Sequence, residues 1–244
     1  MQVTSETKHS SILGEDMTVI TYGHWGLPVL VFPTQDGKAR QWEEFGMIEL
    51  LKPWIDSGRI KLYCVDSIDT ESWSDTWGDK AWRAQRQEAY FHYITDEMMP
   101  GIAHGDTLPI CTGCSMGANH TVITFLRRPD LFSGCIAMSG VYDTNVFWGD
   151  YMDGNLYQNA PLVFLQNMPS DHPWIRLYNE KKMIVCVGQG AWEEAGVETT
   201  RRLQGLLESR GAHGWFDYWG YDVNHDWPWW KKQIVYFLPY MLED

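Results

Sequence analysis

A chain of 244 residues is long enough for one sizeable hydrophobic core, and 44% hydrophobic with 21% charged residues describes a globular protein rather than a disordered one. Nineteen basic against thirty-two acidic side chains give a formal net charge of −13, which repels phosphate backbones and anionic bilayers and argues against nucleic-acid or membrane partners. The opening "MQVTSETKHSSILGED" lacks an apolar h-region, so no secretory signal is expected.

From residue 18 onward short β-rich runs alternate with helical patterns. Strands are predicted at Thr18–Tyr22 and Pro28–Phe32, then a helical stretch over 42–58 that closes on Gly58. A strand at Ile60–Val65, a helix over 79–102 and a strand at Leu108–Thr112 follow, and a further helix spans 117–128. Gly134–Met138 and Met183–Val187 read as buried strands on either side of residues 141–181, a long stretch rich in Asn, Asp, Pro and aromatics with weak periodicity. A connection of that length is expected to be a lid or substrate wall. A helix over 199–211 closing on Gly211, a strand at Trp215–Trp219 and a last helix over 228–242 complete the pattern. With no repeat or linker between them, these elements predict one α/β domain over residues 1–244, with a mostly parallel central sheet and helices on both faces.

The stretch "TLPICTGCSMGANHTVITFL", residues 107–126, holds two competing motifs. Gly113-Cys114-Ser115-Met116-Gly117 is a Gly-x-Ser-x-Gly match between a β-run and a helical run, which places Ser115 on a strained strand-to-helix turn. Such an elbow needs small residues two before and two after the serine, and the helix N-terminus beneath it favours developing negative charge. Cys111 and Cys114 form a Cys-x-x-Cys, but one of them falls inside a strand and no second cysteine pair completes a metal site, so both sulfurs are read as packing around the elbow. The five cysteines, at 64, 111, 114, 135 and 186, fall mostly in apolar runs, and their odd count suits a reducing, cytoplasmic setting.

A serine nucleophile needs a base, and in hydrolases with this elbow the chain order is serine, acid, histidine. His9, His24 and His92 precede the serine, His104 enters its strand, His120 follows on its helix, and His213 belongs to the turn before the last strand, at the opposite edge of the sheet from the elbow. His172 sits in the 141–181 excursion and would break the order. His225, just past the last strand in "WGYDVNHDWPWWKKQ", can swing over the elbow and is favoured. The acid should leave the C-terminal end of the penultimate strand, where "MIVCVGQGAWEEAGVE" offers Glu193 and Glu194; spacing does not separate them, and either could simply begin a helix.

"GCSMGA", the acid-bearing turn after "VCVGQG", and "NHDWPWWKKQ" together resemble the esterase D family of α/β-hydrolases, whose relatives include mycolyltransferases and feruloyl and enterochelin esterases. The likeness runs from about Thr18 to Leu242. It implies a nucleophile at Ser115, a base at His225 and an acid at Glu193. It also implies oxyanion donors at the backbone N–H of Met116 and at Gln35 in "PTQDG", where this chain departs from the His-Gly or Gly-rich turn of many relatives.

Fourteen tryptophans, clustered at Trp73, Trp77, Trp82 and at Trp227, Trp229, Trp230, could build an aryl or sugar platform or simply pack the core. The expectation is a serine carboxylic-ester hydrolase without metal or organic cofactor, acting on a small-molecule ester, aryl or carbohydrate. An acyltransferase with the same triad and a non-catalytic binding protein of the same fold are the alternatives.

Overall fold

The computed structural model describes residues 1–103 and 107–243. Two strands, β1 (Val3–Ser10) and β2 (Glu15–Tyr22), open the chain, and β3 (Leu27–Phe32) follows. Short α1 (Gln41–Glu44) and α2 (Met47–Asp56) lead to β4 (Ile60–Val65), after which α3 (Lys80–His92) runs through a π-turn at Tyr93–Met98 into α4 (Met99–Ile102). Next come β5 (Ile110–Cys114), α5 (Met116–Arg127) and β6 (Gly134–Met138), then four short helices: α6 (Asn145–Trp148), α7 (Gly154–Gln158), α8 (Pro161–Asn167) and α9 (Pro173–Asn179). β7 (Lys182–Val187), α10 (Glu194–Ser209), β8 (Trp215–Tyr218) and α11 (Trp227–Met241) complete the order.

The strands form one eight-stranded sheet in the order β1-β2-β4-β3-β5-β6-β7-β8. The β1–β2 and β2–β4 pairs are antiparallel, and every pair from β4 onward is parallel. Because successive strand side chains point to opposite faces, each apolar run feeds two cores. Leu30 and Phe32 of β3 join a cluster with Tyr90, Phe125, Leu165 and Leu203 from α3, α5, α8 and α10. Val29 and Val31 join another with Leu51, Ile234 and Phe237 from α2 and α11. Helices therefore cover both faces, as an α/β sheet of buried strands requires. All twelve residues of α5 are buried, so the helix that starts at Ser115 is clamped on every side.

Three local outcomes differ from the sequence expectations. The polar opening is a strand: β1 pairs along its whole length with β2 while seven of its eight residues stay exposed, so backbone pairing rather than an apolar face holds it. The helix expected over 42–58 is broken at Gly46, whose φ of 72° lies in the left-handed region. The stretch 141–181 is folded rather than loop-like. Leu162, Leu165, Ile175 and Tyr178 of α8 and α9 are buried in the sheet's core, whereas α6 and α7 help enclose a smaller cluster of Trp73, Met116, Ile123, Trp148 and Leu156. Among the described residues no helix is long and apolar enough to cross a membrane.

Candidate active site

Ser115 sits where β5 gives way to α5, with φ 56° and ψ −122°. A serine in that conformation is strained by roughly 1–3 kcal/mol, which the surrounding packing must hold. The two glycines make this possible. A Cβ on Gly117 would lie 2.5 Å from the Pro33 carbonyl oxygen and 2.6 Å from that of Phe32, and a Cβ on Gly113 would run into the Gly117 backbone, 2.8 Å from its Cα. The turn is thus a close approach of three backbones, β3, β5 and the start of α5.

His225 and Glu193 are brought to this serine by the loops after β8 and β7. His225 Nε2 lies 2.8 Å from Ser115 Oγ, and Nδ1 lies 3.2 Å from Glu193 Oε2. The two loops are zipped together: Gly190 N–H donates to the Val223 carbonyl at 2.8 Å, Ala191 N–H to Asn224 Oδ1 at 2.9 Å, and His225 N–H to the Ala191 carbonyl at 3.0 Å. Glu193 is fully buried, whereas Glu194, the next residue, is exposed in the first turn of α10. Glu193 Oε1 also accepts a 2.6 Å hydrogen bond from the hydroxyl of Ser139, at the end of β6.

Met116 opens α5, ahead of the helix's own acceptors, so its N–H belongs to the unpaired first turn. The loop holding Gln35, which follows the Phe32 and Pro33 carbonyls packed against Gly117, is fixed on both sides. Thr34 N–H donates to Gln41 Oε1 at 2.7 Å and Asp36 N–H to Asp69 Oδ2 at 3.1 Å, while the Gln35 side chain donates to Ser74 Oγ at 2.9 Å. Asp69 is buried with His120, whose Nε2 lies 2.8 Å from Asp69 Oδ1. His120 therefore supports the loop from below, on the helix that carries Ser115 at its start.

The remaining sequence candidates lie apart. His172 caps α9, accepting the Trp174 N–H at 3.2 Å, and His104 lies outside the described residues. Cys111 and Cys114, three apart in one strand, point to opposite faces and belong to different cores. Burial raises both thiols well above their usual range, and all five cysteines are free. Among the described residues no group of three His, Cys, Asp or Glu side chains gathers as a metal site. Trp230 is buried with its ring edge-on to His225 at 5.0 Å, and Trp227 stacks on Phe45 at 4.4 Å. Trp73 is buried too, its indole donating to Gln87, while Trp77 is exposed.

Sequence reasoning missed Ser139 and Asp69; a backbone signal marks Ser139 itself, and marks Asp36, whose N–H Asp69 accepts. Among the described residues, four non-glycines have positive φ: Asp36, Ser115, Ser139 and Trp192. Each follows the C-terminal end of a parallel strand, β3, β5, β6 and β7 in turn, so local strain is concentrated at one edge of the sheet.

Strand order, parallel direction and the turn at Ser115 define an α/β-hydrolase fold. The chain belongs to the esterase family described as "Putative esterase", whose model matches residues 10–241, and with it to the carboxylic ester hydrolases. Solved structures with the same fold include a ferulic acid esterase, 15% identical with a TM-score of 0.76 over 99% of this chain and 97% of that one. The fluorophosphonate-binding serine hydrolase F of Staphylococcus aureus is 15% identical with a TM-score of 0.69, covering 100% and 99%. An S-formylglutathione hydrolase from Agrobacterium tumefaciens is 15% identical with a TM-score of 0.70, covering 98% and 94%. No curated protein matches the chain by sequence.

Proposed function

We propose that this protein hydrolyses carboxylic esters through an acyl-enzyme on Ser115. The carrying observation is the line from Ser115 Oγ through His225 to buried Glu193, 2.8 Å and 3.2 Å long, at a strained elbow. Ser115 Oγ attacks the ester carbonyl while its proton passes to His225 Nε2; the backbone N–H groups of Met116 and Gln35 take the oxyanion. Collapse expels the alcohol, which receives the proton from His225. Water then repeats the sequence, attacking the acyl-enzyme as His225 takes its proton and releasing the acid and free Ser115. Glu193 holds the imidazole tautomer with Nδ1 protonated and offsets the imidazolium charge.

The substrate class proposed is a small ester with an aryl or carbohydrate part. Three aromatics support it: Trp77, Trp192 and Tyr221 are 97%, 84% and 82% exposed, in the loops after β4, β7 and β8, at the sheet edge that carries Ser115. The structural likeness to a ferulic acid esterase points the same way. Residues 141–160, ahead of α8, are proposed as one wall of the substrate site. Five unpaired, buried cysteines support a reducing, cytoplasmic setting.

The test is a fluorophosphonate probe with intact-mass detection, paired with hydrolysis of aryl and acetylated-sugar esters. One adduct per chain is expected, absent from Ser115→Ala, whose kcat should fall by ~10⁴–10⁶. A Ser115→Ala protein that keeps more than about a tenth of wild-type kcat would refute the assignment. Ester products that accumulate when an alcohol acceptor is added would instead identify acyl transfer.

A further inference from the structure

Glu193 is a fully buried carboxylate, and a buried carboxylate with one partner would be expensive to keep charged. Its second oxygen is served by Ser139. That hydroxyl is itself constrained, because Trp230 Nε1, which can only donate, approaches Ser139 Oγ at 3.1 Å. The single hydroxyl proton is therefore directed to Glu193 Oε1 at 2.6 Å, in the short range of a charge-assisted O–H···O⁻ bond. Ser139 N–H donates in turn to the Cys186 carbonyl at 2.8 Å, tying its backbone to the strand that leads to Glu193.

The backbone makes this arrangement costly. Ser139 has φ 58°, a conformation glycine would adopt without penalty. A serine here keeps strain that only its hydroxyl can justify. We infer that Ser139, aimed by the Trp230 indole, is a positioning residue that fixes the charge and orientation of Glu193, so that Glu193 Oε2 is presented to His225. The inference rests on the Ser115–His225–Glu193 reading above, and its test separates the two.

The consequence has a definite sign. A hydroxyl donating to one carboxylate oxygen withdraws electron density and makes the carboxylate less basic. Without it the carboxylate's charge is less dispersed and Oε2 holds a protonated His225 more strongly. The acidic limb of kcat/KM, which reports the free enzyme's base, should then move upward. Other titratable groups around Glu193 do not confuse the reading. Burial holds the protons of Tyr142 and Cys186 well past neutrality, and the carboxylates Asp217 on β8 and Asp226 beside His225 are common to wild type and variants.

The experiment measures kcat, KM and the pH profile of aryl-ester hydrolysis for wild type, Ser139→Gly, Ser139→Ala, Trp230→Phe and the Ser139→Gly/Trp230→Phe double variant. Ser139→Gly removes the hydroxyl and the backbone strain together, so its melting temperature should not suffer from conformation. Ser139→Ala keeps the Cβ and reads the same hydroxyl if the glycine variant folds poorly. Expected are a fall in kcat of about ten- to a hundredfold at nearly constant KM, and an acidic limb raised by roughly half to one pH unit. Trp230→Phe keeps a ring beside His225 and should shift the limb the same way by less; in the double variant it should add nothing. A serine variant whose limb stays in place, whether or not its kcat drops, overturns the positioning role, as does a Trp230→Phe effect that persists without the hydroxyl. Failure of the wild type to take a fluorophosphonate would instead sink the triad on which the role depends.

Discussion

Gly117→Ala tests the idea that contact between α5 and the end of β3 sets the oxyanion site. Gly117 is not among the glycines with positive φ, so alanine is conformationally acceptable and only the new methyl matters. That methyl would sit 2.5 Å from the Pro33 carbonyl oxygen and 2.6 Å from that of Phe32. Restoring an ordinary separation requires the start of α5 to retreat by roughly 0.8–0.9 Å, since both obstacles are backbone atoms in a close-packed interior. The retreat carries the Met116 N–H away from Gln35, two residues beyond Pro33. Overpacking of this kind costs ~1–3 kcal/mol, partly offset by ~0.5–1 kcal/mol from replacing a helical glycine. The net loss of up to about 2.5 kcal/mol corresponds to a melting temperature lower by up to roughly 10 °C for a chain of this length. Activity should fall further, by ~10²–10³ in kcat, because a misplacement near 1 Å and the loss of one oxyanion donor each have effects of that order. Calorimetry and aryl-ester kinetics on one preparation provide the comparison. If kcat stays within about threefold of wild type while the melting temperature drops, the contact is only structural and the oxyanion argument is wrong.

Glu193→Gln should lower kcat by about two to four orders of magnitude while Glu194→Gln changes it less than about threefold, as steady-state kinetics of both single variants and the double variant will show. His120→Ala leaves Asp69 buried without its His120 hydrogen bond and should cost ~1–3 kcal/mol in urea unfolding, together with part of kcat through the Gln35 loop; unchanged stability would refute that support. The buried thiols give a pH dependence: Cys135 is pushed up to about 12 and Cys111, Cys114 and Cys186 well above 9.0, all by burial. The unfolded chain loses these protons first, so their contribution is fully present below the unfolded value and lost as pH rises toward the folded one. The urea midpoint should accordingly fall between pH 8 and pH 10, while thiol reagents at pH 8 should find the cysteines unreactive until the chain unfolds.

Much of this protein was legible from sequence because the relevant physics is local. Continuous apolar runs such as Gly134–Met138, short and spaced between helical patterns, read as strands covered on both faces, and this one is a strand with all five residues buried. The elbow was readable in part: the crowding that demands glycine at 113 arises against Gly117, within five residues of chain, whereas glycine at 117 answers to the Phe32 and Pro33 carbonyls at the end of β3, a contact only the folded sheet supplies. β1 was unreadable for the opposite reason: "VTSETKHS" has no apolar face, and its pairing with β2 depends on backbone groups that every sequence carries. Spacing alone left Glu193 and Glu194 equivalent, because both suit the start of α10, and only the placement of the loop after β8 puts one beside His225 and the other in water. Ser139 and Asp69 carried no motif at all. Their roles come from long-range neighbours, Trp230 ninety-one residues away and His120 fifty-one, which meet only because the parallel sheet gathers the C-terminal ends of its strands at one edge. Sequence sets which segments bury and which turns strain; which side chains then face one another is settled by the closure of the sheet, where contacts distant in the chain become hydrogen bonds.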